Sequence, residues 1–435
     1  MSAVQRRTGI ARHRTLITAV GIGLVAALSL TACSGTGAAP APKPGEKVTY
    51  EDFTFTSWNY GEDAQKALIE QEVDGFTSQH DVEADLVSFP FAEYRNQLLL
   101  RSRDGSTTGA AQLDIADIQS MSRLGVLVDL SEYAKGVDYT EASLKNGQVD
   151  GKQYGLPWYT GSIGLIENKQ LLEKAGITSA PTTVDEFEKA LKAVKALGGD
   201  IVPYALATKP ETIKDFIPWF KTFGSKVVDG DKIAVNDKGA VEALEWLTRL
   251  NEEGLISLGL GRPEARTLYS QGKTAFFDDA NQVRGTLISQ AADPALMDST
   301  VPVARPVVKS GDAPQSLAWG GLIVVYKKGP TQTAAEFAKY YTSTPEVGIN
   351  RYKEIGSVPT TETALADESF TSDPYASAWQ TAITDTASPN PLWQFSNYSQ
   401  MEAKLAEQIQ AALTGQKSAQ DALDTAQAAM QKLAD

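Results

Sequence analysis

The chain has 435 residues, 42% of them hydrophobic and 22% charged, a globular balance long enough for more than one core. Its formal net charge of −14 argues against nucleic acid or anionic lipid surfaces as partners. Two histidines and one cysteine leave Ser-His-Asp and Cys-His catalysis, and His-based metal sites, without their usual parts.

Residues 1–32 read as a secretory signal. Arg6, Arg7, Arg12 and Arg14 precede an apolar run from Leu16 to Leu30, and Thr31-Ala32-Cys33 follows. The run is too short for a membrane span and ends in small residues. Cys33, the single cysteine, preceded by Leu30-Thr31-Ala32, resembles the lipobox of bacterial lipoproteins, in which the thiol is acylated. The resemblance implies an exported chain held at the outer face of the cytoplasmic membrane by lipid alone. Residues 33–47, rich in Ser, Gly, Ala and Pro, then form a flexible tether. Removal of the signal leaves 36 basic against 54 acidic residues, a net charge of −18, and His80 as the one histidine.

Past the tether, Phe53-Thr54-Phe55-Thr56 alternates as a half-buried strand and opens into Trp58-Asn59-Tyr60. A helix is predicted from about Glu62 to Gln79, a strand from Val82 to Phe89 and a helix from Ala92 to Arg103. Leu113 to Ile118 reads as a third strand, running into Gln119. Strands alternating with helices indicate a layered, mainly parallel α/β unit, whose ligands bind beyond the carboxyl ends of the strands. That rule gathers Trp58, Asn59, Tyr60, Asp117 and Gln119 at one rim. Asp150 to Gly176 is the pivot: a short strand stopped by Pro157, then Trp158, Tyr159 and Thr160, then a new strand Ile163–Ile166 and a helix. It reads as the chain leaving one α/β unit for another.

Thr183 and Glu186 form a capping box for a helix from Val184 to Leu197, and Asn236 caps another carrying Val241, Leu244, Leu247 and Leu250. Trp246, on that second helix, reads as core. A strand through Ala275-Phe276-Phe277 ends in Asp278-Asp279, and Trp319-Gly320-Gly321 leads into the strand Leu322–Val325. Thr333 and Glu336 cap a helix ending before Pro345. Pro391-Leu392-Trp393 precedes two C-terminal helices, the first boxed by Ser399 and Glu402.

Several of these segments recur, in this order, in one family. They are Asp150-Gly151-Lys152 with Tyr154-Gly155-Leu156-Pro157, Asn168-Lys169 with Ala175-Gly176, and Pro181-Thr182-Thr183 with Glu186-Phe187. Gly272-Lys273 with Ala275-Phe276, Trp319-Gly320-Gly321, and Gly415 with Ala422-Leu423 complete the set. Together they resemble the sugar-binding solute receptors of ABC importers, the group that includes the maltose-binding proteins. The resemblance implies a two-lobed, type II periplasmic-binding-protein-like α/β fold, each lobe a layered sheet, with hinge crossovers and the ligand between them. It places one lobe at 48–156 plus 279–316 and the other at 157–278 plus 317–435. It also implies a sugar or oligosaccharide ligand, permease subunits as partners, a monomer, and no cofactor. Where the family often carries an aromatic after the Gly-Lys strand, this chain has Asp278-Asp279-Ala280-Asn281.

The residue types suit a sugar, whose apolar faces stack on aromatic rings and whose hydroxyls bond to carboxylates and amides. Charge-assisted bonds of that kind are roughly twice as strong as neutral ones. Trp58, Trp158, Trp319 and Trp393 are the expected stacking surfaces, with Tyr60 and Tyr159 beside them. Asn59, Asp117, Gln119 and Asp278 are the expected polar contacts, and Gly320 and Gly321 would admit the ligand to the backbone. A non-sugar such as a glycerophosphodiester remains open on residue types alone. The competing class is a glycoside-acting enzyme using a carboxylate pair drawn from Asp117, Asp278 and Asp279. Adjacent strand residues point to opposite faces, which disfavours Asp278 with Asp279 as that pair.

Overall fold

A computed structural model of the chain describes residues 48–434. The signal segment, Cys33 and the tether expected over 1–47 lie outside the described residues. The eight principal strands are β1 (Phe53–Thr56), β2 (Ala84–Val87), β3 (Ala110–Asp114), β4 (Gly155–Asn168), β5 (Val202–Ala205), β6 (Thr274–Ala280), β7 (Thr300–Val303) and β8 (Ser316–Val325). They form one sheet in the order β2-β1-β3-β8-β4-β6-β5, with β7 also on β4 and the short strand Ala387–Ser388 on β8. Among the described residues no helix is long and apolar enough to cross a membrane.

The first half of the sheet follows from its sequence. Phe53 and Phe55 alternate with half-buried threonines, and β1 pairs in parallel with β2 and β3. Parallel neighbours need crossovers, supplied by the helices Asp63–His80 and Phe91–Asp104. Phe53, Phe55 and Phe76 pack with Phe337 and Tyr341 of the helix Thr331–Ser343 in one core. Full burial of each such ring stabilises by about 1.5–3 kcal/mol. In the second half Phe187, Trp219, Trp246 and Phe276 pack with Leu405, Ile409, Leu423 and Met430 of the C-terminal helices. The capping box on Val184–Lys195 is present as expected: Thr183 accepts the Glu186 N–H, and the Glu186 carboxylate accepts the Thr183 N–H.

The predicted break at Pro157 is absent, and β4 runs unbroken for 14 residues. Pro157 sits opposite Leu322, where the register between β4 and β8 shifts, and such an irregularity tolerates a residue that cannot donate to the ladder. Both strands therefore serve both halves. Leu156 and Pro157 pair with Ile323 and Leu322 on the first-half side, whereas Ile163 to Asn168 pair with β6 and β7.

Packing divides the chain differently from the expected boundaries. Val283, Leu287 and Leu296 share a core with Ile166, Phe277 and Trp379, so 279–316 stays with the second half. The chain returns to the first half through β8, and the helix Thr331–Ser343 belongs to the first-half core rather than to the second. Two caps also differ. Asp237, not Asn236, caps Lys238–Glu252, while Asn236 Nδ2 donates to Asp424 on the last helix. The helix expected to start at Thr333 starts at Thr331, and Thr333 Oγ1 accepts the Glu51 N–H.

Candidate functional site

A cavity of about 450 Å³ opens between the two halves. Its first-half wall is Trp58 from the turn after β1, Phe91, Tyr94 and Arg95 from the helix Phe91–Asp104, and Asp114 and Asp117 from the carboxyl end of β3. Its second-half wall is Lys214, from the short helical turn Pro210–Asp215, with Trp393, Tyr398 and Glu402. Trp58 and Asp117, expected at one rim, both stand in the first-half wall.

Polar contacts cross this cleft at two carboxylates. Asp117 Oδ1 accepts from Arg95 Nε at 2.5 Å and, across the cleft, from the Tyr398 hydroxyl at 2.6 Å. Burial outweighs the Arg95 charge and pushes the Asp117 carboxyl above the usual range, with Asp114 adding to the rise. Asp114 Oδ2 accepts from Trp319 Nε1 at 3.1 Å and faces Lys214 Nζ at 3.8 Å. Glu402 Oε1 accepts from Asn390 Nδ2 at 2.8 Å and Trp393 Nε1 at 3.3 Å. Burial raises its pKa to about 7; Lys214 and Trp393 oppose the rise, and Asp117 and Asp114 add to it.

Of the residues expected to form the site, Trp58, Asp117 and Trp393 line the cavity. Trp319 sits just behind it, bonded to Asp114 and packed on Tyr159 with ring centroids 5.3 Å apart. The ladder sets Trp319, Gly320 and Gly321 opposite Gly161, Thr160 and Tyr159, where the chain passes between halves. The two glycines make room for protein rather than ligand: a Cβ on Gly321 would lie 2.5 Å from the Tyr159 ring, and one on Gly320 would lie 3.0 Å from the Tyr159 carbonyl oxygen. Tyr159 is buried, with Gln112 Nε2 donating to its hydroxyl.

The remaining expectations are corrected. Trp158 is a core residue, stacked on Tyr341 and lying 4.1 Å beneath the Arg351 guanidinium. Asn59 is buried in the turn after Trp58. Tyr60 directs its hydroxyl to Glu70 on the surface. Gln119 lies on the short helix Ile118–Arg123, outside the cavity wall. Asp278 is fully buried, ion-paired with Arg305, and accepts from the Tyr204 hydroxyl. Asp279 is held by two Arg266 nitrogens at 2.6 and 2.9 Å. Both acids are committed to arginines, and neither lines the cavity.

A family model described as bacterial extracellular solute-binding protein matches residues 71–378. The chain belongs to that family. This solute-binding protein is 25% identical over 409 residues to the diacetylchitobiose binding protein DasA of Streptomyces coelicolor, covering 87% of the chain and 90% of the relative. It is 26% identical over 276 residues to a Brucella abortus protein named for binding alone; the match takes in 60% of the chain, which spans 64% of that relative's length. The maltose-bound MalE3 of T. maritima superposes with a TM-score of 0.78 at 20% identity, over 88% of the chain and all of the other. The fold is therefore the two-lobed type II arrangement of the maltose-binding group.

For a solute-binding protein, the cavity offers aromatic faces beside carboxylates. Its charged groups, Asp114, Asp117 and Glu402 against Arg95 and Lys214, come from both walls. The sequence reading missed Asp114, Lys214 and Glu402. Asp114 was legible as the last residue of a strand. Glu402 reads in the sequence as a helix cap, but the helix begins at Tyr398 and the carboxylate turns toward Asn390 and Trp393.

Proposed function

We propose that this solute-binding protein is the lipid-anchored capture component of an ABC importer. It holds a sugar or oligosaccharide between its two halves at the outer face of the cytoplasmic membrane, and hands it to permease subunits. The observation that carries this reading is the cavity itself, in which Trp58 and Trp393 stand beside Asp114, Asp117 and Glu402 with walls from both halves. Rings cover the apolar faces of a pyranose, and the carboxylates accept from its hydroxyls. The names of relatives that bind diacetylchitobiose and maltose agree with it. A solute that touches both walls binds the closed form better, and it shifts the protein toward closure by that difference in affinity. The closed form is then what the permease recognises.

A thermal-shift screen over mono- and oligosaccharides tests the reading. A cognate sugar at about 1,000 times its dissociation constant adds roughly 4 kcal/mol to the folded state. A flat response across the whole panel would discard the sugar. Trp58→Ala is expected to weaken the cognate sugar by about 1–3 kcal/mol. Trp246→Ala, in the core with its Nε1 donating to Glu188, should lower the melting temperature and leave affinity alone. The opposite pattern would mean that a core residue has been exchanged for a site residue.

Anchoring has its own test. Cys33→Ala is expected to move the protein from the membrane fraction to the medium, or to leave the precursor unprocessed. A variant that fractionates with membranes like processed wild type removes the lipid from the proposal.

A further inference from the structure

We infer that Arg262, which does not line the cavity, is a positioning residue for it. It clamps the turn Pro210–Asp215 to the helix Arg262–Ser270, so that Lys214 presents its ammonium to the solute beside Asp114 and Glu402. The inference rests on the sugar reading above and adds to it the residue that sets one part of the wall. Lys214 is the group that needs holding. Of the two cations in the wall, Arg95 is committed to Asp117 and lies 4.9 Å over the Tyr398 ring. Lys214 Nζ stands 3.8 Å from Asp114 Oδ2, beyond hydrogen-bond length, which leaves its N–H groups to a solute hydroxyl oxygen. An ammonium on a flexible stem, held by so long a contact, takes its direction from the backbone beneath it.

That backbone is tied at both ends to one helix. Lys209, just before the turn, pairs with Glu264, whose other oxygen accepts the Gly261 N–H at 2.9 Å. Asp215, the last residue of the turn, is buried and takes two Arg262 nitrogens: Nε donates to Oδ2 at 3.2 Å, and Nη2 donates to Oδ1. A two-pronged guanidinium–carboxylate pair fixes direction as well as distance. The helix is itself fastened to the sheet, because Arg266 holds Asp279 of β6 at 2.6 and 2.9 Å. Desolvation offsets most of what a buried ion pair contributes to stability. A pair kept at this turn is better accounted for by what it holds in place, the lysine one residue before it.

Glu402 reports where Lys214 stands. Its carboxyl is raised to about 7 by burial, and Lys214 opposes the rise; Trp393, Asn390, Tyr398, Asp117 and Asp114 are its other polar neighbours. An NMR titration of the Glu402 carboxyl, assigned by its loss in Glu402→Gln, therefore reads the lysine without any sugar. Lys214→Met is expected to move the midpoint upward, and Arg262→Met to move it the same way. Should Arg262→Met fail to fold with Asp215 stranded, Arg262→Met with Asp215→Asn leaves no buried charge and carries the test. Trp246→Ala, a loss of core packing, should leave the midpoint in place. Calorimetry with the cognate sugar should show about a tenfold loss in Lys214→Met, the scale of one hydrogen bond to a charged group. The Arg262 variant should lose as much, and the two combined should lose no more than either. A midpoint unmoved in Lys214→Met or in the folded Arg262 variant overturns the inference, as does one that Trp246→Ala moves equally. Affinity losses that simply add overturn it too. A midpoint that moves as expected while no saccharide binds discards the sugar reading and leaves the positioning of Lys214 standing.

Discussion

Arg351→Met is expected to lower the free energy of unfolding by about 3–5 kcal/mol, the usual cost of stranding one member of a buried ion pair. Arg351 is 1% exposed; its Nη2 donates to Glu72 Oε2 at 2.6 Å and to the Tyr341 hydroxyl at 2.8 Å, and its plane covers Trp158. Burial already pushes the Glu72 carboxyl upward, with Arg351 the chief force holding it down. Removing the guanidinium leaves that carboxylate desolvated with no cation. The double variant Arg351→Met with Glu72→Gln should recover part of the loss, because no charge is then left buried. Urea midpoints measure both. A single variant within 1 kcal/mol of wild type would show that the pair is not desolvated as described, and a change in sugar affinity without loss of stability would return Trp158 to the ligand site.

Stability should also fall as pH rises from about 4.5 to 7, and Glu402 is one source of the slope. Its carboxyl moves from an ordinary 4.5 to about 7 on folding. Between those values the folded chain holds a proton that the unfolded chain has released, so raising the pH favours unfolding. Below 4.5 both states are protonated and nothing is lost; above 7 both are ionised and the whole penalty, about 3 kcal/mol, is present. Glu167, also raised to about 7 by burial, titrates in the same window. Glu402→Gln should therefore flatten the profile by one carboxyl's share and leave the remainder. Because Glu402 lines the cavity, sugar affinity in the wild type should vary over the same range and cease to do so in the variant. An unchanged slope in Glu402→Gln would place the proton elsewhere.

The legible parts of the fold were those governed by neighbours in sequence. The alternation of Phe53 and Phe55, the Thr183-Glu186 box and the apolar spacing from Val241 to Leu250 all act within a few residues, and the structure realises each of them. The site was harder because a residue at a strand end looks alike whether it faces a cleft or a core. Trp58 and Trp158 both follow a strand start and a turn-forming residue, yet one lines the cavity and the other lies under Arg351, 193 positions further on. Asp278 drew attention as an acid closing a strand; its partner Arg305 arrives on a later segment that no local pattern connects to it. The packing groups the segments differently from the expected lobe boundary for a related reason. Leu317–Val325 is an apolar run carrying two glycines whichever direction the crossing runs, and only the pairing of Leu322 to Val325 with β3 fixes that direction.

Neither half of the molecule is built from one stretch of chain, and this bears on the order in which it can be made. The second-half core joins Phe187, Trp219 and Leu244 to Leu423 and Met430, which are synthesised long after them. A chain emerging from the ribosome must carry those early apolar faces uncovered until the helix Ala419–Ala434 arrives. Such long-range closure folds slowly, because loop entropy is lost before distant contacts repay it. It also exposes the nascent chain to aggregation. For a protein proposed to cross a membrane before it works, the same delay is useful: a chain unable to finish its core early stays threadable until it has been moved.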